Sequence, residues 1–327
     1  MTPPVTIVIP VLEPGPLVET ALDSLAPEIA RRDSGDEVVI VDDSGSGAVA
    51  AVIPAGLAGL RVVELPANVG FARALAAGVH AARHEFVFAM NSDVRVRAGF
   101  LEPLVDVLER PGGERVFAAV PRILLGGEPG RVESLVALRL ERGIARAAQP
   151  LVEGTLAGWE GEARLAAEYD VAFPIGGACL FRRARFDALG GFDPAIEPFY
   201  LEDLDLGWRA WRAGFATRYV GRSVVEHRHR GTIGSRVPPE VVLAAIERNR
   251  LLFTWKHLDD ARSREEHVRA LARRIAEARV AGDRAFLTAV CLALEDRASV
   301  RRAGGEASGA MPPAPSFEEL ARATDPF

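Results

Sequence analysis

The chain has 327 residues, 49 % of them hydrophobic and 26 % charged, with a formal net charge of −6. That apolar content suffices for one large α/β domain or two modest ones, and the acidic balance gives nucleic acid no global attraction. The two cysteines, Cys179 and Cys291, stand in apolar contexts with neither a disulfide framework nor metal-ligand spacing, which points to a reducing compartment.

The charged and apolar regions of a secretory signal are missing from the N-terminus, and no apolar stretch reaches the roughly 20 residues of a membrane helix. The expectation is a cytoplasmic protein, at most peripheral at the inner face of a membrane. Among its cations Lys256 is the only lysine; arginine forks suit phosphate groups.

The run VTIVIP at residues 5–10 is rich in β-branched residues and ends on Pro10, which predicts a buried parallel strand. Val18, Leu22 and Leu25 then form the apolar stripe of a helix, and EVVIV at 37–41 forms a second strand. Strand, helix and strand make a βαβ unit, in which ligands bind beyond the carboxyl ends of the strands. Asp42 and Asp43 stand there, with a turn or helix cap as the competing role. A third strand is predicted at residues 60–65. Asn68-Val69-Gly70-Phe71 then permits a tight turn whose backbone N–H groups can face a pyrophosphate. Arg73 follows, either reaching a nucleotide or lying solvated on a helix. FVFAM at 86–90 is a fourth strand that delivers Asn91-Ser92-Asp93 to the same edge. A divalent cation bridging phosphates needs one or two carboxylates plus water, and Asp93 supplies one.

An amphipathic segment carries Leu101, Leu104, Val105 and Leu108 before a strand at residues 116–120. Residues 124–170 show no firm period, so irregular structure partly covering the site is expected. The densest stretch is FPIGGACLFRRARFDALGGFDPAIEPFYLEDLDLGWRAWRAGF at residues 173–215. Gly176 and Gly177 introduce a short strand, the GGFDP turn bends the chain, and Leu204, Trp208 and Trp211 recur at helical spacing up to a stop at Gly214. Glu202, Asp203 and Asp205 therefore crowd the first turn of a helix, where acids also complement the helix dipole by about 0.3–1 kcal/mol each. A strand at residues 217–220 leads to His227-Arg228-His229-Arg230. Glu240 to His257 and a segment broken near Gly282 are helical, followed by a Gly- and Pro-rich linker at 303–315 and a tail that is either a short docked helix or disordered. A basic amphipathic helix in residues 264–297 can touch an anionic membrane or simply pack on the body.

The block at 173–215 resembles the GGxxLxRRxxFxxxGGFDxxFxxxxEDxDLxxRxxxxG signature of family 2 glycosyltransferases. VVIVDDSGSG resembles that family's VDDGS motif with Ser44 and Gly45 in reversed order, and NVGFARALAAG ending at Gly78 is similar to a pattern of its rhamnosyltransferase-like members. Asn91-Ser92-Asp93 occupies the place of the DxD motif in an NxD form, and Arg248-Asn249 matches a common RN pair. The resemblance spans roughly residues 5–257. It implies a GT-A fold, in which a Rossmann-like, mostly parallel central sheet flanked by helices is followed here by a C-terminal helical extension.

From the resemblance the domain reading is a catalytic domain at 1–235, divided at 98/99 into nucleotide-sugar and acceptor halves, a helical region at 236–300, and a linker and tail at 301–327. It implies an inverting transferase in which Asp203 deprotonates the acceptor hydroxyl and Glu202 assists. Pro10, Asp42, Asp43, Asn68, Gly70, Arg73, Asn91 and Asp93 would surround the donor. Asp93 and His227, with His229 as the alternative, would hold Mn2+ or Mg2+. The donor would be a nucleotide-diphosphate sugar, with dTDP-rhamnose or a UDP-hexose as examples, and the acceptor a cell-surface glycan, glycolipid or small molecule. A homo-oligomer is compatible with the sequence. Two other classes compete. A sugar-1-phosphate nucleotidyltransferase would want a basic glycine-rich loop after the first strand, where Glu13 stands instead; a non-catalytic sugar-nucleotide-binding protein is suggested by Asn91 replacing an acid.

Overall fold

The computed structural model describes residues 2–49, 59–126, 132–148, 162–228, 237–303 and 316–325. The first strand, β1 (Val5–Val11), is followed by α1 (Pro16–Arg32), β2 (Glu37–Asp42), β3 (Leu60–Glu64) and α2 (Phe71–Ala81). Next come β4 (Phe86–Met90), β5 (Val94–Val96), α3 (Leu101–Glu109) and β6 (Val116–Leu125). The β-branched and aromatic runs that predict β1, β2 and β4 are buried in the sheet, except for the half-buried Pro10, as strands covered on both faces must be.

Residues 124–170, expected to be irregular, contain a hairpin of β7 (Ala137–Glu141) and β8 (Ile144–Ala148), a short α4 (Glu162–Leu165) and β9 (Glu168–Asp170). The two-residue turn at Arg142-Gly143 has φ of 48° and 72°, the left-handed pair that matches the twist of a tight hairpin. Its register makes Glu141 face Ile144 and Ala137 face Ala148.

After β10 (Ala178–Arg182) and α5 (Arg183–Ala188) come α6 (Glu202–Arg212) and β11 (Ala216–His227). The strand expected at 217–220 thus runs on to His227, with a register irregularity between Val220 and Val224. Among the described residues the main sheet has the order β3-β2-β1-β4-β10-β6-β11-β5, with β9 also pairing with β11. The β3-β2-β1-β4 half is parallel, β10 runs antiparallel between β4 and β6, and β6 and β11 are again parallel. The sheet is mostly parallel and flanked by helices, as the sequence predicts.

The C-terminal part is helical: α7 (Pro239–His257), α8 (Ala261–Ala281), α9 (Arg284–Ala303) and α10 (Phe317–Ala323). Gly282 ends α8 in the left-handed region at φ 70°. Leu251 and Leu252 of α7, Ala278 of α8, and Phe286 and Val290 of α9 form a second apolar cluster, which also takes in Ile144 of the hairpin and Ile196. The tail is the docked helix of the two alternatives: Ser316 and Glu319 close a capping box, and the buried Phe317 ring lies 4.7 Å from Trp208 on α6. Most of the expected linker, 304–315, lies outside the described residues. No helix among them is long and apolar enough to cross a membrane.

Candidate active site

The strands β1, β2 and β4 end at one edge. Pro10 lies there, opposite Val41 in the β1–β2 register. Asp42 and Asp43, both buried, leave β2 with different surroundings. One oxygen of Asp42 accepts hydrogen bonds from Ser44 N at 2.9 Å and from its hydroxyl at 2.5 Å. Its Oδ2 is buried without a hydrogen-bond partner among the described residues. A buried acceptor in that condition calls for a donor, because an unmade hydrogen bond there costs about 1–3 kcal/mol.

Both oxygens of Asp43 are engaged by the protein itself. Oδ1 accepts from Val69 N at 2.7 Å and Oδ2 from Gly70 N at 3.1 Å. Gly70 N also donates to Asn68 Oδ1 at 2.9 Å. The amides expected to face a pyrophosphate are therefore taken, and Asp43 is the bracket that holds the turn opening α2. Burial raises its pKa more strongly than these two amides lower it.

Arg73, one turn along α2, makes an exposed ion pair with Glu197 at 2.7 Å. It lies over a cavity of about 470 Å3 between α2 and the GGFDP turn, with Ala76, Phe192 and Pro194 among its walls.

Asn91 follows β4. Its N–H donates to Gly177 O at 2.8 Å. Its side chain lies so close that a Cβ at Gly177 would stand 2.7 Å from Asn91 Nδ2, a distance no side chain tolerates. At the preceding glycine the contacts turn to the other side of the site. Gly176 N donates to Asp203 Oδ2 at 3.0 Å, and a Cβ there would lie 3.4 Å from both Asp203 Cβ and Phe71 Cε1. Two consecutive glycines thus join the end of β4, the start of α2 and the first turn of α6.

The chain reaches α6 through a constrained loop. Asp193 caps the 3-10 turn Pro194–Ile196, the Glu197–Pro198 bond is cis, and Tyr200 and Leu201 have φ of 60° and 72°. Non-glycine residues in that region cost about 1–3 kcal/mol each and persist only where their surroundings fix them. The fixing group is Asn249, fully buried on α7. Its Nδ2 lies 2.7, 2.8 and 3.1 Å from the carbonyls of Ile196, Phe199 and Tyr200. Its neighbour Arg248 donates to Glu197 O at 2.7 Å. The RN pair noted in the sequence thereby holds the segment that aims Glu202 and Asp203.

Glu202 and Asp203 are half-buried. Asp203 Oδ1 accepts from Leu204 N at 2.7 Å. Burial pushes its pKa up to about 6, against the two backbone N–H groups that lower it. Burial and the neighbouring Asp203 charge push Glu202 higher still. The two carboxylates titrate as an interacting pair. Asp205, expected in the same cluster, points away. It accepts from Lys256 at 2.8 Å, His257 Nε2 at 2.8 Å and Arg209 Nε at 2.8 Å. Lys256 also pairs with Asp193 of the GGFDP turn.

Asp93 and His227 come together because β11 runs antiparallel to β5 with His227 opposite Val94. Asp93 Oδ1 lies 3.2 Å from His227 Nε2. On the far side of the ring, Nδ1 lies 2.7 Å from Glu133 Oε2, a residue that the sequence reading did not single out. Burial lowers the imidazole pKa, but the hydrogen bonds to Asp93 and Glu133 outweigh it and push it up to about 10. His229 lies outside the described residues. Among them, no group of three His, Cys, Asp or Glu side chains is arranged to hold a metal ion. One carboxylate and one imidazole would suit a divalent cation that takes its other ligands from phosphate oxygens and water.

Residues 6–190 match glycosyl transferase family 2. The chain belongs to that family. Two pre-mycofactocin glycosyltransferases of Mycobacterium tuberculosis, from strains CDC 1551 / Oshkosh and ATCC 25618 / H37Rv, are each 30 % identical to it over 228 residues. The aligned part is 69 % of this chain but 43 % of each relative, so the chain spans less than half the length of these curated proteins. Among solved structures, GalNAc-T7 with UDP, GalNAc and Mn2+ superposes with a TM-score of 0.58 at 18 % identity, covering 79 % of this chain and 48 % of the other. The mannosyltransferase PcManGT from Pyrobaculum calidifontis, in complex with GDP-Man and Mn2+, gives 0.54 at 19 %, covering 95 % and 77 %. S. aureus TarS 1–349 with UDP-GlcNAc gives 0.56 at 15 %, covering 90 % and 81 %. These likenesses establish the shared GT-A fold around the family 2 segment.

Proposed function

We propose that the chain is an inverting glycosyltransferase that moves a sugar from a nucleotide-diphosphate donor to an acceptor hydroxyl. The observation that carries this reading is the Gly176-Gly177 junction, which touches Asp203 on one side and Asn91 at the end of β4 on the other. A donor lying over the ends of β1, β2 and β4 then has its anomeric carbon within reach of Asp203.

In this reading the buried Asp42 meets the nucleoside, and Asn91 and Asp93 lie along the diphosphate. Asp43, Asn68 and Gly70 shape the turn beneath the donor rather than binding it through free amides. Asp93 and His227 would hold Mn2+ or Mg2+, which supplies positive charge against the diphosphate. Asp203 accepts the acceptor's proton while the acceptor oxygen attacks the anomeric carbon. The bond to the diphosphate oxygen breaks on the opposite face, and that carbon inverts. Each oxygen of Asp203 accepts one backbone N–H and retains a lone pair for the incoming proton. Its raised pKa suits a base working near neutral pH. Glu202, held more strongly in its neutral form, orients the acceptor through a hydrogen bond. The UDP, UDP-GlcNAc and GDP-Man of the structural neighbours support a nucleotide-sugar donor. The NVGFARALAAG pattern makes dTDP-rhamnose and UDP-hexoses the first donors to try.

The test is calorimetric binding of UDP-, dTDP- and GDP-sugars with and without Mn2+ or Mg2+, together with release of the nucleoside diphosphate. Metal-dependent binding of one donor and slow release of its diphosphate are expected, and with an acceptor the product anomer is opposite to the donor's by NMR. Failure to bind any donor, or a retained anomer, would overturn the reading.

A further inference from the structure

Glu133 belongs to none of the motifs, yet its carboxylate meets the imidazole nitrogen opposite the one that faces Asp93. Its position is set by β6. Glu133 N donates to Ile123 O at 2.9 Å, and Ile123 N donates to Ser134 Oγ at 3.0 Å. Val132 adds a bridge to Leu124. Since β6 pairs in parallel with β11, with Leu125 opposite His227, this short segment lies against the end of the histidine strand. Glu133 is 9 % exposed and its Oε2 is 2.7 Å from His227 Nδ1. On the other side, Nε2 is 3.2 Å from Asp93 Oδ1. The ring is thus held between two carboxylates that approach different nitrogens.

We propose that Glu133 is the positioning residue of the Asp93–His227 pair: by accepting the Nδ1 proton it fixes the ring orientation in which Nε2, on releasing its proton to water, binds a divalent cation beside Asp93. The inference rests on the metal assignment made above. An imidazole binds a cation through an unprotonated nitrogen, and a carboxylate accepting from the other nitrogen selects that tautomer and strengthens the donor. Removing such a partner ordinarily lowers metal affinity by about 10–100-fold. Glu133 makes no bond to the cation in this arrangement, which distinguishes it from Asp93.

The experiment is Mn2+ binding, read by electron paramagnetic resonance and calorimetry with UDP present, for the wild type, Glu133→Gln, His227→Ala and the double variant. Thermal unfolding without metal confirms that each is folded. Glu133→Gln is expected to bind Mn2+ about 10–100-fold more weakly, with no further loss once His227 is already alanine. If it fails to fold, Glu133→Asp takes its place, with partial loss expected because the shorter side chain still offers an acceptor. Unchanged affinity in Glu133→Gln would overturn the inference alone. A loss just as large in the His227→Ala background would also overturn it, since Glu133 would then act without the histidine. Absence of Mn2+ uptake by the wild type would overturn the metal assignment itself, and the inference with it.

Discussion

The two faces of α6 carry carboxylates two residues apart that meet opposite fates. Asp203 opens the helix toward the donor edge, with two backbone N–H groups and no cation bonded to it among the described residues. Asp205 turns inward, fully buried, against Lys256, His257 and Arg209. Burial raises the pKa of the first to about 6. Burial also acts upward on the second, but His257, Arg209 and Lys256 overwhelm it and hold Asp205 well below the usual carboxylate range. Helix position alone therefore does not make an acid a base; the availability of a compensating cation decides it.

The largest expected effect breaks the comparison from the catalytic side. Asp203→Asn keeps the shape and removes the base, so transfer should fall by about 10²–10⁴-fold. Donor binding should remain near wild type, and the urea midpoint at neutral pH should rise rather than fall, because burial no longer acts on an ionised group. A large loss of donor affinity would mean that Asp203 belongs to the donor pocket instead. Asp205→Ala breaks it from the structural side. Two cations, Lys256 and Arg209, and the His257 imidazole lose their shared partner in a buried place, and removing one member of such an arrangement costs about 3–5 kcal/mol. Urea unfolding should show the loss, while the folded fraction keeps its donor affinity. If Asp205→Ala is stable but inactive, the division of labour on α6 is wrong.

The pH dependence sharpens the same contrast. Asp205 is depressed in the fold, so its stabilisation is present above the unfolded value of about 3.9 and is lost as pH falls toward its folded value. Asp203 is raised, so its contribution is present below about 3.9 and is lost as pH rises through about 6. Activity needs the ionised base and should therefore rise with pH through about 6, where the Asp203 term in stability declines. Asp203→Asn should abolish that decline when unfolding free energy is measured across the range.

What was legible in the sequence follows the same division. Motifs inside one βα unit, such as Asp42 after β2 and Asn91 after β4, were readable because a strand and the turn after it fix where they go. The ED pair was readable because helix period and the GGFDP turn are local. Which group each side chain meets was less so. Asp43 resembled a donor ligand until Val69 and Gly70, 26 and 27 residues on, took both its oxygens. Asp205 looked like a third member of the ED cluster because two of its partners, Lys256 and His257, sit on α7, about 50 residues away. The β7–β8 hairpin had a signal, Arg142-Gly143 between alternating segments, that an expectation of irregular structure passed over. Glu133 had none, because its contact with His227 spans 94 residues and exists only through the pairing of β6 with β11.

The smallest expected effect concerns Arg73, which lies on the outside of α2. Its exposed pair with Glu197 links α2 to the loop held by Asn249. Surface pairs contribute little to stability because water and salt screen them. Arg73→Ala should therefore leave the melting temperature unchanged. The same pair lines the cavity between α2 and the GGFDP turn, and Glu197 adds its negative charge to those raising Glu202. Freed from Arg73, that charge would act on Glu202 more strongly, so the effect should appear in the acceptor KM and in the position of the acid limb rather than in donor affinity. An Arg73→Ala variant that loses donor binding instead would return Arg73 to the nucleotide, as its place in the NVGFARALAAG pattern first implied.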